Sequence, residues 1–208
     1  MQTLICFDWD GTLADSMNLC VAEIRQALIT MHLPDLPDDV LRQCNGPTFE
    51  QSLDILHIPH DRAQEYMTTR LTAELALVPT VNRLFPGVRE WFGRINAFGA
   101  QLGVTVEHYV ISSGLREIIE GSGISHEFRE IYACEFFYDE NGLASWPKLD
   151  VNFTNKTQFV YRINKGILDV ARDKELNASM PDDSKRVPFR NMIYIGDGLS
   201  DVPCMKMM

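Results

Sequence analysis

Three short apolar runs, each emptying into a loop of small and acidic residues, constrain this 208-residue chain more than anything else in it. Thr3 to Phe7 precedes Asp8-Trp9-Asp10-Gly11-Thr12, Tyr109 to Ile111 precedes Ser112-Ser113-Gly114, and Met192 to Ile195 precedes Gly196-Asp197-Gly198-Leu199-Ser200-Asp201. A strand that is apolar throughout, rather than at every second residue, suits a parallel sheet covered on both faces. Helical patterns occupy the intervals, so the chain is expected to form an α/β, Rossmann-like core with a mainly parallel sheet. Ligands of such folds sit beyond the carboxyl ends of the strands. The three loops stand in that position.

Between the first two runs the pattern changes. Val21, Ile24, Leu28 and Met31 recur at helical spacing and stop before Pro34, and a second helix follows Asp38. Thr48-Phe49-Glu50-Gln51 has the form of a capping box, in which the Thr hydroxyl and Gln side chain satisfy each other's exposed amides. Asp61 is expected to cap a further helix toward Leu77. Residues 16–84 therefore read as an all-helical insertion with proline turns at 34–37, 47, 59 and 79, leaving 1–15 and 85–208 for the core. Pro86-Gly87 begins a helix through Phe98, and Glu140-Asn141-Gly142 between two strand-like runs predicts a β-ribbon. Ile163 to Lys174 reads as a helix and 176–190 as a polar loop.

Charge and cysteine content narrow the function. Nineteen basic against 29 acidic residues leave −10, the wrong sign for neutralising a phosphate backbone, so no nucleic-acid partner is expected. Cys6, Cys20, Cys44, Cys134 and Cys204 are odd in number and scattered, and predict neither a disulfide framework nor a zinc site. The N-terminus lacks a basic start before an uninterrupted apolar stretch, and no run reaches the roughly 18 apolar residues of a membrane span. A cytoplasmic protein without a membrane partner is the expectation, and the sequons at Asn152, Asn155 and Asn177 are read as incidental.

The acids carry the chemistry. Asp8 and Asp10 are two apart at a strand end, so their side chains leave on one face while Trp9 points away. Unpaired, they would repel and one pKa would rise, so such a pair suits cation binding or retention of one member as an acid. Asp197 and Asp201 add two carboxylates from another strand end. An all-oxygen donor set suits Mg²⁺, which takes one or two carboxylates and keeps sites for a substrate phosphate.

These segments, in this order, resemble the four motifs of the haloacid dehalogenase-like phosphohydrolases: Asp8-Trp9-Asp10-Gly11-Thr12, Ser112, a lysine, and Gly196-Asp197-Gly198-Leu199-Ser200-Asp201. The resemblance implies a Mg²⁺-dependent phosphatase acting on a small phosphorylated metabolite through an aspartyl-phosphate. It makes Asp8 the nucleophile and Asp10 the acid–base group, and gives the metal to the Asp8 carboxylate, the Asp10 backbone carbonyl, Asp197 and Asp201. Ser112, Ser113, Gly114 and Lys165 would bind phosphate, with Lys156 the rival lysine; Lys165 is preferred on the expectation that it opens a helix, where exposed amides already attract an anion.

From Asp8 to Ser112 is 104 residues, whereas a βαβ step needs about 30, and the surplus coincides with the helical stretch, which looks like this family's helical cap. Asn45-Gly46-Pro47-Thr48 resembles the cap loop of phosphoglycolate-phosphatase-like members. A phosphomutase would share every motif. A non-catalytic phosphate-binding relative would be expected to lack Asp8 or Asp10, and a metal-free dehalogenase usually lacks the second aspartate. Seven residues follow Asp201, fewer than the closing helix and strand of such a fold, so a C-terminally shortened core with an exposed sheet edge is expected.

Overall fold

The computed structural model describes residues 2–81 and 83–208; Met1 and Asn82, which fall within the expected core and insertion, lie outside the described residues. Strand β1 (Gln2–Phe7) opens the chain. Four helices follow: α1 (Ser16–Thr30), α2 (Asp38–Arg42), α3 (Phe49–Ile55) and, after a 3₁₀ turn at His60–Arg62, α4 (Ala63–Val81). Helix α5 (Val88–Gln101) leads into β2 (Thr105–Leu115), α6 (Arg116–Glu120), β3 (Phe128–Tyr138) and β4 (Ala144–Leu149). Helices α7 (Lys156–Lys165) and α8 (Asp173–Asn177) precede β5 (Met192–Ile195) and the short α9 (Val202–Met205).

The chain divides into two compact units, Met1–Leu13 with Leu84–Met208, and Ala14–Arg83. In the first, five strands form one sheet in the order β4-β3-β2-β1-β5. β1 runs parallel to β2 on one side and to β5 on the other, β2 runs parallel to β3, and the β3–β4 ribbon is antiparallel. This is an α/β, Rossmann-like arrangement. β1 sits between two partners, and Leu4, Ile5, Cys6 and Phe7 are all buried, which is why its sequence shows no polar alternation.

Under α5, Phe7, Trp91, Phe92 and Phe128 pack edge to face at centroid separations of 5.4–6.5 Å. His108 is enclosed among them, 5.0 Å from the Phe92 ring centroid. Its Nε2 meets Asn96 Oδ1 at 2.8 Å, whereas the buried Nδ1 has no hydrogen-bond partner among the described residues. Burial therefore pushes the imidazole pKa down to about 4.

The second unit is all helical. Val21, Ile24 and Leu28 from α1 and Met31 just after it join Leu41, Leu53, Leu56, Ile58 and Tyr66 in its core. The capping box at Thr48 and Gln51 is formed, with both reciprocal hydrogen bonds in place. Asp61 lies within the 3₁₀ turn rather than at a helix cap, and α4 continues through Pro79, where the sequence predicted a turn. Glu23, buried on α1, accepts from Arg70 Nε on α4 at 2.8 Å, a charged pair that apolar periodicity does not reveal. No helix among the described residues is long and apolar enough to cross a membrane.

Candidate active site

The site grows from the carboxyl ends of β1, β2 and β5, where the backbone leaves the ladder and amides become free to serve side chains. Asp8 follows β1 directly. Its amide donates to Ile195 O at 2.8 Å, tying the β1 and β5 ends together, and its Oδ1 accepts from Trp9 N at 2.8 Å. The residue is 7% exposed, and burial pushes its carboxyl pKa up to about 6, with Lys156 working in the opposite direction.

Lys156 is the cation of this site. Its side chain is buried, with Nζ 3.1 Å from Asp8 Oδ2 and 2.8 Å from Asp201 Oδ1. Burial opposes the ammonium's charge, but the two carboxylates outweigh it and hold its pKa above the ordinary value. Local chemistry puts it there. Asn155 Oδ1 accepts from Asn152 N and Asn155 Nδ2 donates to Asp150 O, while Asn152 Oδ1 accepts from Thr154 N. Two of the asparagines read as incidental sequons thus build the turn that starts α7. Lys156 is its first residue and shares the buried face of Phe159, Val160 and Ile163.

Lys165 is elsewhere. It ends α7, ahead of Gly166 at φ 78°, and its Nζ donates to Leu176 O and Ala178 O. The sequence reading placed the helix start near Ile163, seven residues too late, because the apolar Ile163-Ile167-Leu168 run drew the boundary. Gly166 as a helix stop and Asn155 as a helix start were the signals that separate the two lysines.

Asp201 is fully buried in the loop after β5. Its Oδ1 also accepts from the Tyr194 hydroxyl at 2.9 Å, and its Oδ2 from Gly198 N at 3.2 Å. Asp197 is exposed, and one oxygen each of Asp8, Asp197 and Asp201 lie within 4.8 Å of one another. Gly11, at φ 70°, lets the β1 loop pass beside Asp197: a Cβ there would collide with Asp197 Oδ2.

Ser112 is buried, and its Oγ accepts from Gly114 N at 3.0 Å. The pairing of β2 with β3 shifts register between Ile111 and Leu115, so Ser112, Ser113 and Gly114 lie on an irregular strand end rather than past it. A Cβ on Gly114 would stand 2.8 Å from Asp10 Oδ2 and 3.4 Å from Ser112 Oγ, which puts the Asp10 carboxylate beside this turn. Asp8, Asp197, Asp201 and Lys156 thus form one cluster, and Asp10 adjoins Ser112 and Gly114. Lys165 belongs to neither. Tyr194 was missed: in an all-apolar run nothing tells which alternate residues face inward, and here Met192 and Tyr194 do while Ile193 and Ile195 are exposed.

Two acids after β1, two acids and two glycines after β5, and a lysine from the first turn of α7 make a set that can hold a cation and an anion side by side. The family model described as haloacid dehalogenase-like hydrolase matches residues 5–139, and the chain belongs to that family. An uncharacterized protein of Borreliella burgdorferi is 32% identical over 143 residues, 61% of this chain, and the chain spans about half (48%) of that relative's length. Among solved structures, a predicted phosphoglycolate phosphatase from Haemophilus somnus superimposes with a TM-score of 0.60 at 18% identity, over 96% of this chain and 79% of that one. A HAD-superfamily hydrolase of subfamily IA from Geobacter sulfurreducens also gives 0.60, at 14% identity, over 99% and 82%. At such identities the likeness is one of fold.

Proposed function

We propose that this hydrolase is a Mg²⁺-dependent phosphatase that cleaves small phosphomonoesters with Asp8 as the nucleophile. The observation that carries the reading is the buried ammonium of Lys156 between Asp8 and Asp201, beside the exposed Asp197. A phosphate dianion cannot approach a lone carboxylate without strong repulsion. An ammonium 3.1 Å from Asp8 Oδ2 offsets that repulsion and fixes the carboxylate's orientation.

The carboxylate oxygens of Asp8 and Asp197 within 4.8 Å form a hard donor set that fits Mg²⁺, and the Asp10 backbone carbonyl would complete the protein's share. Bound there, the ion would supply charge neutralisation for the substrate phosphate. Asp201 is the third carboxylate of that set and would stand in or near the ion's coordination shell, its oxygens also accepting from Lys156, Tyr194 and Gly198.

Asp8 attacks phosphorus in line, forming an aspartyl-phosphate as the bond to the leaving alkoxide breaks. Asp10, beside the Ser112–Gly114 turn, gives its proton to the departing oxygen and then takes one from the water that cleaves the acyl phosphate. Ser112 and Ser113 hold the phosphoryl oxygens, with Gly114 allowing the close backbone approach. The test is phosphate release across a panel of phosphorylated metabolites, comparing wild type with Asp8→Asn, with Mg²⁺ and with chelator. Turnover confined to wild type with Mg²⁺ is expected. Full activity in Asp8→Asn, or in chelator, would overturn the mechanism.

A further inference from the structure

Asp201 holds Lys156 in place, and something must hold Asp201. It lies in the loop between β5 and α9, yet its carboxylate is completely buried. The Gly198 amide that serves Oδ2 belongs to the same loop and anchors it to nothing outside. Among the described residues, the group of the sheet that hydrogen-bonds this carboxylate is the Tyr194 hydroxyl, 2.9 Å from Oδ1. Tyr194 is itself rigid: its backbone is paired in register opposite Cys6 of β1, and its ring is buried with Leu4, Tyr109 and Ile111.

The phenol has a single proton and two acceptors, Asp201 Oδ1 at 2.9 Å and Ile111 O at 3.4 Å. The nearer acceptor is charged, and charge-assisted hydrogen bonds are the shorter and stronger kind. Asp201 Oδ1 thus accepts two donors, Tyr194 from the strand and Lys156 Nζ at 2.8 Å from α7. Two donors on one oxygen share its charge. While the phenol takes its part, the ammonium remains available to Asp8, 3.1 Å away.

We propose that Tyr194 is a positioning residue: by donating to Asp201 from the rigid β5 strand it keeps the Lys156 ammonium shared between Asp201 and Asp8. The inference rests on the functional reading above and deepens it by giving the nucleophile's cation a mechanical support. Remove the hydroxyl, and Asp201 Oδ1 is left to Lys156 alone, so the ammonium moves toward Asp201 and away from Asp8. Substrate binding through Ser112, Ser113 and Gly114 should change little, since the phenol's contact with the neighbouring Ile111 O is the longer one, while orientation of the attacking oxygen suffers.

Tyr194→Phe keeps the buried ring and deletes only the hydroxyl. Two measurements decide the matter. In phosphate release from an aryl phosphomonoester, kcat is expected to fall about tenfold with KM within about twofold of wild type, the pattern of a lost transition-state interaction. In a crystal structure of the variant, Lys156 Nζ should stand more than about 4 Å from Asp8 Oδ2, beyond ion-pair range. An unchanged kcat, or an ammonium still 3.1 Å from Asp8, would overturn the proposal. Asp8→Asn runs alongside: if it keeps full turnover the phosphatase reading falls, and the position of Nζ then decides the role of Tyr194 by itself.

Discussion

Removing the buried ammonium should damage the fold as well as the chemistry. In Lys156→Met an apolar chain of similar length replaces a side chain that is 2% exposed and contacts two carboxylates, Asp8 at 7% exposure and Asp201 at 0%. Breaking a buried ion pair by deleting one partner costs about 3–5 kcal/mol, because the remaining charge stays desolvated. With a urea m-value of about 2 kcal/mol/M, the midpoint should drop by about 1.5–2.5 M at pH 7. Trp9, Trp91 and Trp146 all belong to the unit that carries the site, so their fluorescence reports on its unfolding without interference from the helical unit. Acid should narrow the gap between variant and wild type. Asp8, already displaced upward to about 6 by burial, loses the group that opposed that displacement and takes up a proton more readily. A second substitution, Asp201→Asn, removes one of the stranded charges and should recover part of the lost midpoint. A drop worth less than about 1 kcal/mol in Lys156→Met, or no recovery in the double variant, would refute the claim that the cluster is an electrostatically coupled unit.

Three further outcomes are expected. Gly11→Ala should abolish metal-dependent turnover, since its Cβ would displace Asp197 and the backbone stands at φ 70°; activity within twofold of wild type would show that the loop has room to yield. In the helical unit, Arg70→Met strands the buried Glu23 and should cost about 3 kcal/mol, measured by urea unfolding followed by far-ultraviolet circular dichroism. The folded-state pKa of His108, near 4, lies below the ordinary 6.5, so the unfolded chain binds the extra proton first. That contribution is intact above pH 6.5 and is lost as the pH falls toward 4, to a total of about 3 kcal/mol. Unfolding midpoints of wild type and His108→Gln from pH 7 to 4.5 should therefore converge, and parallel curves would contradict the assignment.

Strand ends were easy to read because burial on both faces leaves an unbroken apolar run that the first loop residue ends abruptly. Asp8, Ser112 and Asp197 follow or close such runs, and the structure has them at the ends of β1, β2 and β5. The α7 boundary was harder. Its first turn, Lys156-Thr157-Gln158, is polar in sequence, and its apolar stripe begins only at Phe159, so periodicity marked its end better than its beginning. Outside the motifs, burial of a charged or polar side chain was not legible in the sequence. Lys156, His108, Glu23 and Tyr194 are buried because of partners 45, 12, 47 and 7 residues away, and short-range pattern does not encode which partner a polar side chain will find.

The backbone around the helical unit has a bearing on how the sheet assembles. Gln2 of β1 pairs with Thr105 of β2, so the central ladder must wait for contacts more than 100 residues apart. Yet Asp15 N donates to Arg83 O at 2.7 Å and Phe85 N to Leu13 O at 3.0 Å, which brings the two ends of the excursion together. Once α1 to α4 have packed, β1 and β2 are separated, for the purposes of chain entropy, by little more than α5 and its turns. Loop closure scales as about (3/2)RT ln n, so replacing some 100 free residues by some 30 eases the pairing by about 1 kcal/mol. An insertion made of local helical contacts, which form quickly, can therefore act as a fast-closing clasp that speeds the pairing of β1 with β2.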